Sequence, residues 1–231
     1  MTLFENNKLK SFKDRIVSYV GDYSNDRWSI ADNDVEQYCL DACYDIWNRV
    51  KQKNSNETQL FIKKSEGNTT WSEEEYREFV YAEQDGHLCR IEDAENEEYF
   101  SDGNSIHYAS SKDPIVYFKN GALKYKPTAL DSSTKFFYYI PEYQIDGFIL
   151  AGENTAQKIE DFPGKYYDAV IWYACIEVTN RKLIQSTDAM NYTVAIDEDS
   201  EIAQIRALEL NSLKDQLAIF QQRYENQFKN L

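Results

Sequence analysis

The spacing of apolar residues changes twice along this chain, from a helical period to a strand period and back. Before residue 53 the apolar side chains recur every three or four positions, which is typical of amphipathic helices. Between about 76 and 140 they alternate with a period of two, which is typical of strands with one buried face. After Pro163 the helical period returns. The order of helices, strands and helices predicts an α+β fold.

The N-terminal part predicts two helices, over 8–20 and 32–52, joined by a polar stretch that begins at Gly21. Asp32 is the predicted N-cap of the second helix, because a short acidic side chain can accept hydrogen bonds from the free N–H groups of the first turn. One face of this helix is apolar and is expected to be buried; it contains Val35, Tyr38, Cys39, Ala42, Cys43, Ile46 and Val50.

The middle of the chain predicts short antiparallel strands. Its clearest signal is Asn120-Gly121 between the segments 115–119 and 122–126, because Asn and Gly tolerate the two positive φ angles of a type I′ hairpin turn. A further strand is predicted over 134–140, and a short one at Ile106 to Tyr108. Together they predict a small antiparallel sheet.

The C-terminal part predicts an apolar helix after Pro163 and a long helix from about 197 to the end, where no Gly or Pro interrupts. A helix of about 30 residues is about 45 Å long, so part of it is expected to pack on another chain or on the first two helices. Its apolar seam has a spacing of three and four, as in a coiled coil: Leu210, Leu213, Leu217, Phe220, Tyr224, Phe228 and Leu231.

The predicted fold is therefore a helical bundle with a small antiparallel β-sheet domain inserted between its N-terminal helix pair and its C-terminal helices. The bundle is assigned to 1–55 and 160–231, the inserted domain to 76–145 and a connecting segment to 56–75.

Forty acidic and 25 basic side chains give a formal net charge of −15. This charge disfavours tight binding of nucleic acids and of anionic membranes, since both reward Lys and Arg. The apolar runs are too short to span a bilayer. The eight glycines form neither a dinucleotide-binding nor a P-loop motif, so no cofactor is predicted.

Three groups of residues raise the question of catalysis or metal binding. Cys39 and Cys43 lie one helical turn apart and could share a metal, or could be small apolar residues of the buried face. His87 and His107 stand in no paired motif. Acidic runs at 73–75, 97–98 and 197–201 leave a carboxylate-dependent hydrolase as an alternative. No catalytic or metal-ligating residue is predicted, and the chain is expected not to be an enzyme.

The 18 Tyr and 12 Phe of this chain point instead to protein–protein contact, because aromatic residues bury large areas at interfaces. The predicted interface residues are those of the seam together with two tyrosines of the β segment: Leu213, Leu217, Phe220, Tyr224, Phe228, Tyr139 and Tyr143.

The order of segments and several short phrases resemble head-to-tail adaptor (neck ring) proteins of tailed bacteriophages. The resemblance covers roughly 8–52 and 79–184, and its phrases are DGHLCR at 85–90, NSIHYAS at 104–110, DPIVYF at 113–118, YYIP at 138–141 and YDAVIWYAC at 167–175. It implies a virion structural protein, synthesised in the cytoplasm of the host bacterium, that forms a homo-oligomeric ring of about twelve copies.

A protein of this family docks on the portal protein, extends the DNA channel and provides the attachment platform for the tail or for further neck proteins. Double-stranded DNA would pass through the ring without tight binding, which a negative lining favours. A tail-completion protein, or another structural component of the capsid or tail, is the alternative within the same class.

Overall fold

The computed structural model describes residues 11–25, 27–53, 56–65, 71, 76–127, 134–145, 159–196 and 201–229. The fold is mixed α+β, with helices and small sheets that are mainly antiparallel, as the sequence predicts. The chain divides into two compact units. A helical unit comprises Met1–Thr58 and Tyr143–Leu231, and a β unit comprises Gln59–Glu142.

Two N-terminal helices open the helical unit. Helix α1 covers Phe12–Val20 and begins with a capping box, in which the Ser11 hydroxyl accepts a hydrogen bond from the Asp14 N–H. Helix α2 covers Asp32–Gln52 and buries the predicted apolar face, except that Tyr38 is only half-buried. The N-cap of α2 is Ala31, so the prediction for Asp32 is wrong. The Asp32 carboxylate instead accepts hydrogen bonds from Lys13 and Tyr23.

Helix α3 (Tyr167–Ile196) is the central helix of this unit, because α1, α2 and helix α4 (Glu201–Asn226) all pack on it. Contact on several sides explains its unbroken apolar run from Ala169 to Ile176. Lys182 of α3 is nevertheless buried. Its Nζ donates hydrogen bonds to the carbonyls of Val20 (2.7 Å) and Asp22 (3.1 Å) near the end of α1, and burial lowers the pKa of this amine.

The β unit contains two sheets. Strands β1 (Lys63–Lys64), β2 (Tyr76–Gln84), β3 (His87–Leu88) and β7 (Lys135–Pro141) form an antiparallel sheet in the order β1-β7-β2-β3. Strands β4 (Arg90–Ile91), β5 (Ile115–Lys119) and β6 (Ala122–Lys126) form the second sheet, in which β4 and β5 are parallel.

The Asn-Gly dipeptide predicts the β5–β6 hairpin correctly. The two departures from the predicted strands depend on contacts between residues that are farther apart in the sequence. Asn120 and Gly121 have φ of 54° and 71°, as the predicted turn requires. The segment 56–75, expected to be a connection, contributes β1, which pairs with β7 far along the chain. The strand predicted at Ile106 to Tyr108 is a turn, because its carbonyls accept hydrogen bonds from the Arg90 side chain rather than from a strand.

Candidate protein–protein interface

The predicted interface seam of α4 lies inside the helical unit rather than on its surface. Leu213, Phe220, Tyr224 and Phe228 are each less than a tenth exposed, and Leu217 is half-buried. The reason is geometric: α4 packs mainly on α3, and Phe220 lies against Trp172 of that helix with ring centroids 6.0 Å apart. Because α3 already covers the seam, these side chains are core residues of the single chain and are not free to contact another copy.

Tyr224 is the centre of a network that joins α4 to α2. Its hydroxyl donates a hydrogen bond to the Asp45 carboxylate, which also accepts one from Arg49 at 2.6 Å. The Arg49 guanidinium lies over the Tyr224 ring, 4.9 Å from its centroid, and donates to Glu225 at 2.9 Å. Burial, followed by the bond to Asp45, raises the pKa of Tyr224. The network fixes the position of α4 against α2.

The two predicted interface tyrosines of the β segment also pack within the chain. Tyr143 belongs to the helical unit and is buried; its ring contacts Tyr44 and Phe162 at centroid distances of 5.4 and 5.1 Å. Tyr139 is half-buried in the β unit, where its ring lies 4.4 Å from that of Tyr76. Neither side chain presents a wide surface to a partner.

A different set of side chains on α4 is exposed. Ile202, Ile205 and Leu208 occupy the first turns of α4 at a spacing of three, so they follow one another along one side of the helix. They are 58%, 59% and 71% exposed. We call these three residues the aliphatic stripe.

Two residues of α4 next to the stripe are held in place, one by a contact with α3 and the other by a contact with the α1–α2 connection. Arg206 donates a hydrogen bond to the carbonyl of Ala189 on α3, and Glu209 forms an ion pair with Arg27. Sequence reasoning missed the stripe, because the longer and more regular apolar seam that begins at Leu210 follows it in the same helix. The available signal was a second apolar period, offset from the seam, in the same helix.

The cysteines are buried core residues. Cys39 and Cys43 are fully buried in α2, and the Cys43 thiol donates a hydrogen bond to the Cys39 carbonyl at 3.2 Å. Burial raises the pKa of both thiols, which disfavours the thiolate that a metal would need. Among the residues that the structure describes, no group of three or more His, Cys, Asp or Glu side chains is arranged to hold a metal ion.

Both histidines and the acidic run at 97–98 lie within the described residues. His87 is exposed in β3, while His107 lies 3.0 Å from the Glu92 carboxylate. The Glu97 carboxylate accepts hydrogen bonds from Lys119 and Tyr117, which lower its pKa. The runs at 73–75 and 197–200 lie outside the described residues.

No described helix combines the length and apolar content needed to cross a membrane.

Comparison with known proteins adds no family to these observations. No protein-family model matches the chain, and a search of curated proteins gives no match.

Proposed function

We propose that this chain is the subunit of a head-to-tail adaptor ring in a tailed bacteriophage virion, where it docks on the portal protein, extends the DNA channel and carries the tail. It acts by assembly and not by catalysis. The observation that carries the proposal is the aliphatic stripe of α4, an apolar surface that stays exposed although α4 packs its seam on α3.

The stripe suits contact between copies because its side chains are aliphatic and regularly placed on a supported helix. Exposed apolar residues are ordinary when they are scattered, but a row that follows one side of a helix is typical of an interaction surface. In a ring each subunit contacts its neighbour through two different surfaces, so the stripe needs to match another face of the next copy. Burial of these three side chains would favour association through the hydrophobic effect.

The net charge of −15 supports the same proposal. A channel lining that carries few cations releases few counterions from DNA and therefore binds it weakly. DNA can then pass through the ring without being retained. We expect a gel-shift assay at about physiological salt to give no complex between the purified chain and double-stranded DNA.

Native mass spectrometry of the full chain, alone and mixed with the portal protein of the same phage, tests the proposal. We expect a ring of about twelve copies or a complex with the portal. Ile205→Asp with Leu208→Asp should abolish the ring and leave a folded monomer, because these side chains are exposed in the single chain. Ile219→Asp, which alters a 47% exposed residue outside the stripe, is the matched control and should still assemble.

A chain that stays monomeric and ignores the portal would contradict the proposal. Rings that form unchanged in the stripe variant would show that the contact lies elsewhere.

A further inference from the structure

The turn at residues 102–109 of the β unit presents one apolar side chain to solvent. Ile106 is 84% exposed, more than any other large hydrophobic side chain in the described part of the chain. Tyr99 and Tyr108 beside it are 45% and 43% exposed. We call this segment the Ile106 loop.

The backbone at Ile106 and Tyr108 is held by the side chain of Arg90. Its guanidinium donates one hydrogen bond to the Ile106 carbonyl and another to the Tyr108 carbonyl, both at 3.1 Å. The Ser105 N–H donates to the Asp102 carbonyl at 2.9 Å, and the Tyr108 N–H donates to the Ser105 carbonyl at 3.1 Å. The loop is therefore a set of closed turns rather than an open connection.

The base of the loop is joined to a buried cluster. The Ala109 N–H donates to the Phe100 carbonyl at 2.9 Å, and both residues belong to a core group with Ile115 and Tyr117. The His107 ring lies 3.0 Å from Glu92 and next to the Tyr99 ring. A loop held in this way loses little conformational entropy when a partner covers it, so its exposed side chain is preorganised for binding.

The sequence on either side of the loop is acidic, and most of its acidic side chains are exposed. Residues 90–113 contain seven acidic and two basic side chains. One of the two basic side chains is Arg90, which already donates hydrogen bonds to the loop carbonyls of Ile106 and Tyr108. Asp93, Glu95, Glu98 and Asp102 are exposed. A partner that covers Ile106 must meet this negative rim, and opposite charge around an apolar centre favours a correct encounter. An anionic membrane would be repelled.

We infer that the Ile106 loop is an anchor for a protein partner whose surface offers an apolar pocket edged by Lys and Arg side chains. Ile106 would fill the pocket, the two tyrosines would contact its walls and the acidic residues would face the basic edge. The inference does not depend on ring formation, because the loop lies in the β unit and the aliphatic stripe lies in the helical unit.

Selection from a random peptide library, of about 16 residues per peptide, against the full chain tests this inference, because a preorganised apolar anchor binds at a small entropic cost. The affinity of each selected peptide is then measured by fluorescence anisotropy at 50 and 300 mM salt. We expect Lys- and Arg-rich peptides with apolar centres. Their affinity should fall about tenfold or more on Ile106→Ser and should weaken at the higher salt concentration.

Ile219→Ser is the matched control, because it makes the same substitution at an exposed isoleucine of the other unit that lies outside the aliphatic stripe, and it should change these affinities by less than about twofold. Arg90→Met leaves Ile106 in place but frees its backbone, so it should also weaken the selected peptides. Circular dichroism melting curves show that each variant is folded.

Peptides that bind wild type and Ile106→Ser equally well, or that are predominantly acidic, would overturn the inference. So would binding to vesicles of anionic phospholipid that is lost in Ile106→Ser, because that result would identify a lipid surface as the partner.

Discussion

Replacing Phe220 with Ala tests whether the seam of α4 belongs to the core of the single chain. Phe220 is 5% exposed, and its ring is nearly parallel to that of Trp172, with an interplanar angle of 21°. Truncation of a buried Phe to Ala removes its transfer free energy and leaves a cavity, which together cost about 3–5 kcal/mol. That is a large part of the roughly 5–15 kcal/mol that stabilises an ordinary domain.

The measurement is urea unfolding followed by tryptophan fluorescence, because three of the four tryptophans lie in the helical unit. With a slope of about 2 kcal/mol per molar urea, the expected loss lowers the midpoint by about 2 M. The loss should be the same at two chain concentrations that differ tenfold, because the contact is made within one chain.

The neighbouring Ile219 supplies the control. It is 47% exposed, so Ile219→Ala should change the free energy of unfolding by less than about 0.5 kcal/mol. A loss below about 1 kcal/mol for Phe220→Ala, or equal losses in the two variants, would refute the assignment of the seam to the intrachain core.

Three further predictions concern buried groups and one turn. Tyr224→Phe removes the hydrogen bond to Asp45 and should cost about 1.5–3 kcal/mol in urea unfolding. Because the pKa of Tyr224 is raised in the folded chain, its contribution to the free energy of unfolding is fully present below about pH 10 and is lost as the pH rises through the folded pKa. Above pH 10 the stability of wild type should therefore fall more steeply than that of the variant, by about 1.4 kcal/mol per pH unit. Parallel curves of stability against pH would contradict this. Burial raises the pKa of Cys89 and of Cys175 to about 12, so iodoacetamide at pH 8 should label both thiols only after unfolding. Peptide mass spectrometry measures the labelling, and rapid labelling of the folded chain would contradict the prediction. Gly121→Ala should cost about 1 kcal/mol in thermal unfolding, because φ is +71° at this position, and an unchanged melting temperature would show that the turn relaxes.

Features that depend on residues close in sequence could be predicted. The bounds of α2 at Asp32 and Gln52 match the predicted 32–52, because a helix with one buried face repeats its apolar residues every three or four positions. The β5–β6 hairpin also matches, because the Asn120-Gly121 dipeptide accepts the positive φ angles of its turn. Mixed α+β class follows from the same local periods.

Features that depend on residues far apart in sequence were decided by the tertiary structure. The period of α4 identifies an apolar seam but does not say what covers it, and the packing of α3 makes that seam core and leaves the aliphatic stripe exposed. The pairing of β1 with β7 joins residues more than seventy positions apart. Arg90 fixes the turn at Ile106 through a side chain, a contact that backbone propensity does not encode.

The sequence by itself therefore determined the main helices, the β5–β6 hairpin and the apolar faces of the helices, since these depend on contacts within a few residues. The tertiary structure alone decided which apolar faces are buried within the chain and which remain for a partner. Burial depends on the element that lies opposite, and that element comes from a distant part of the chain.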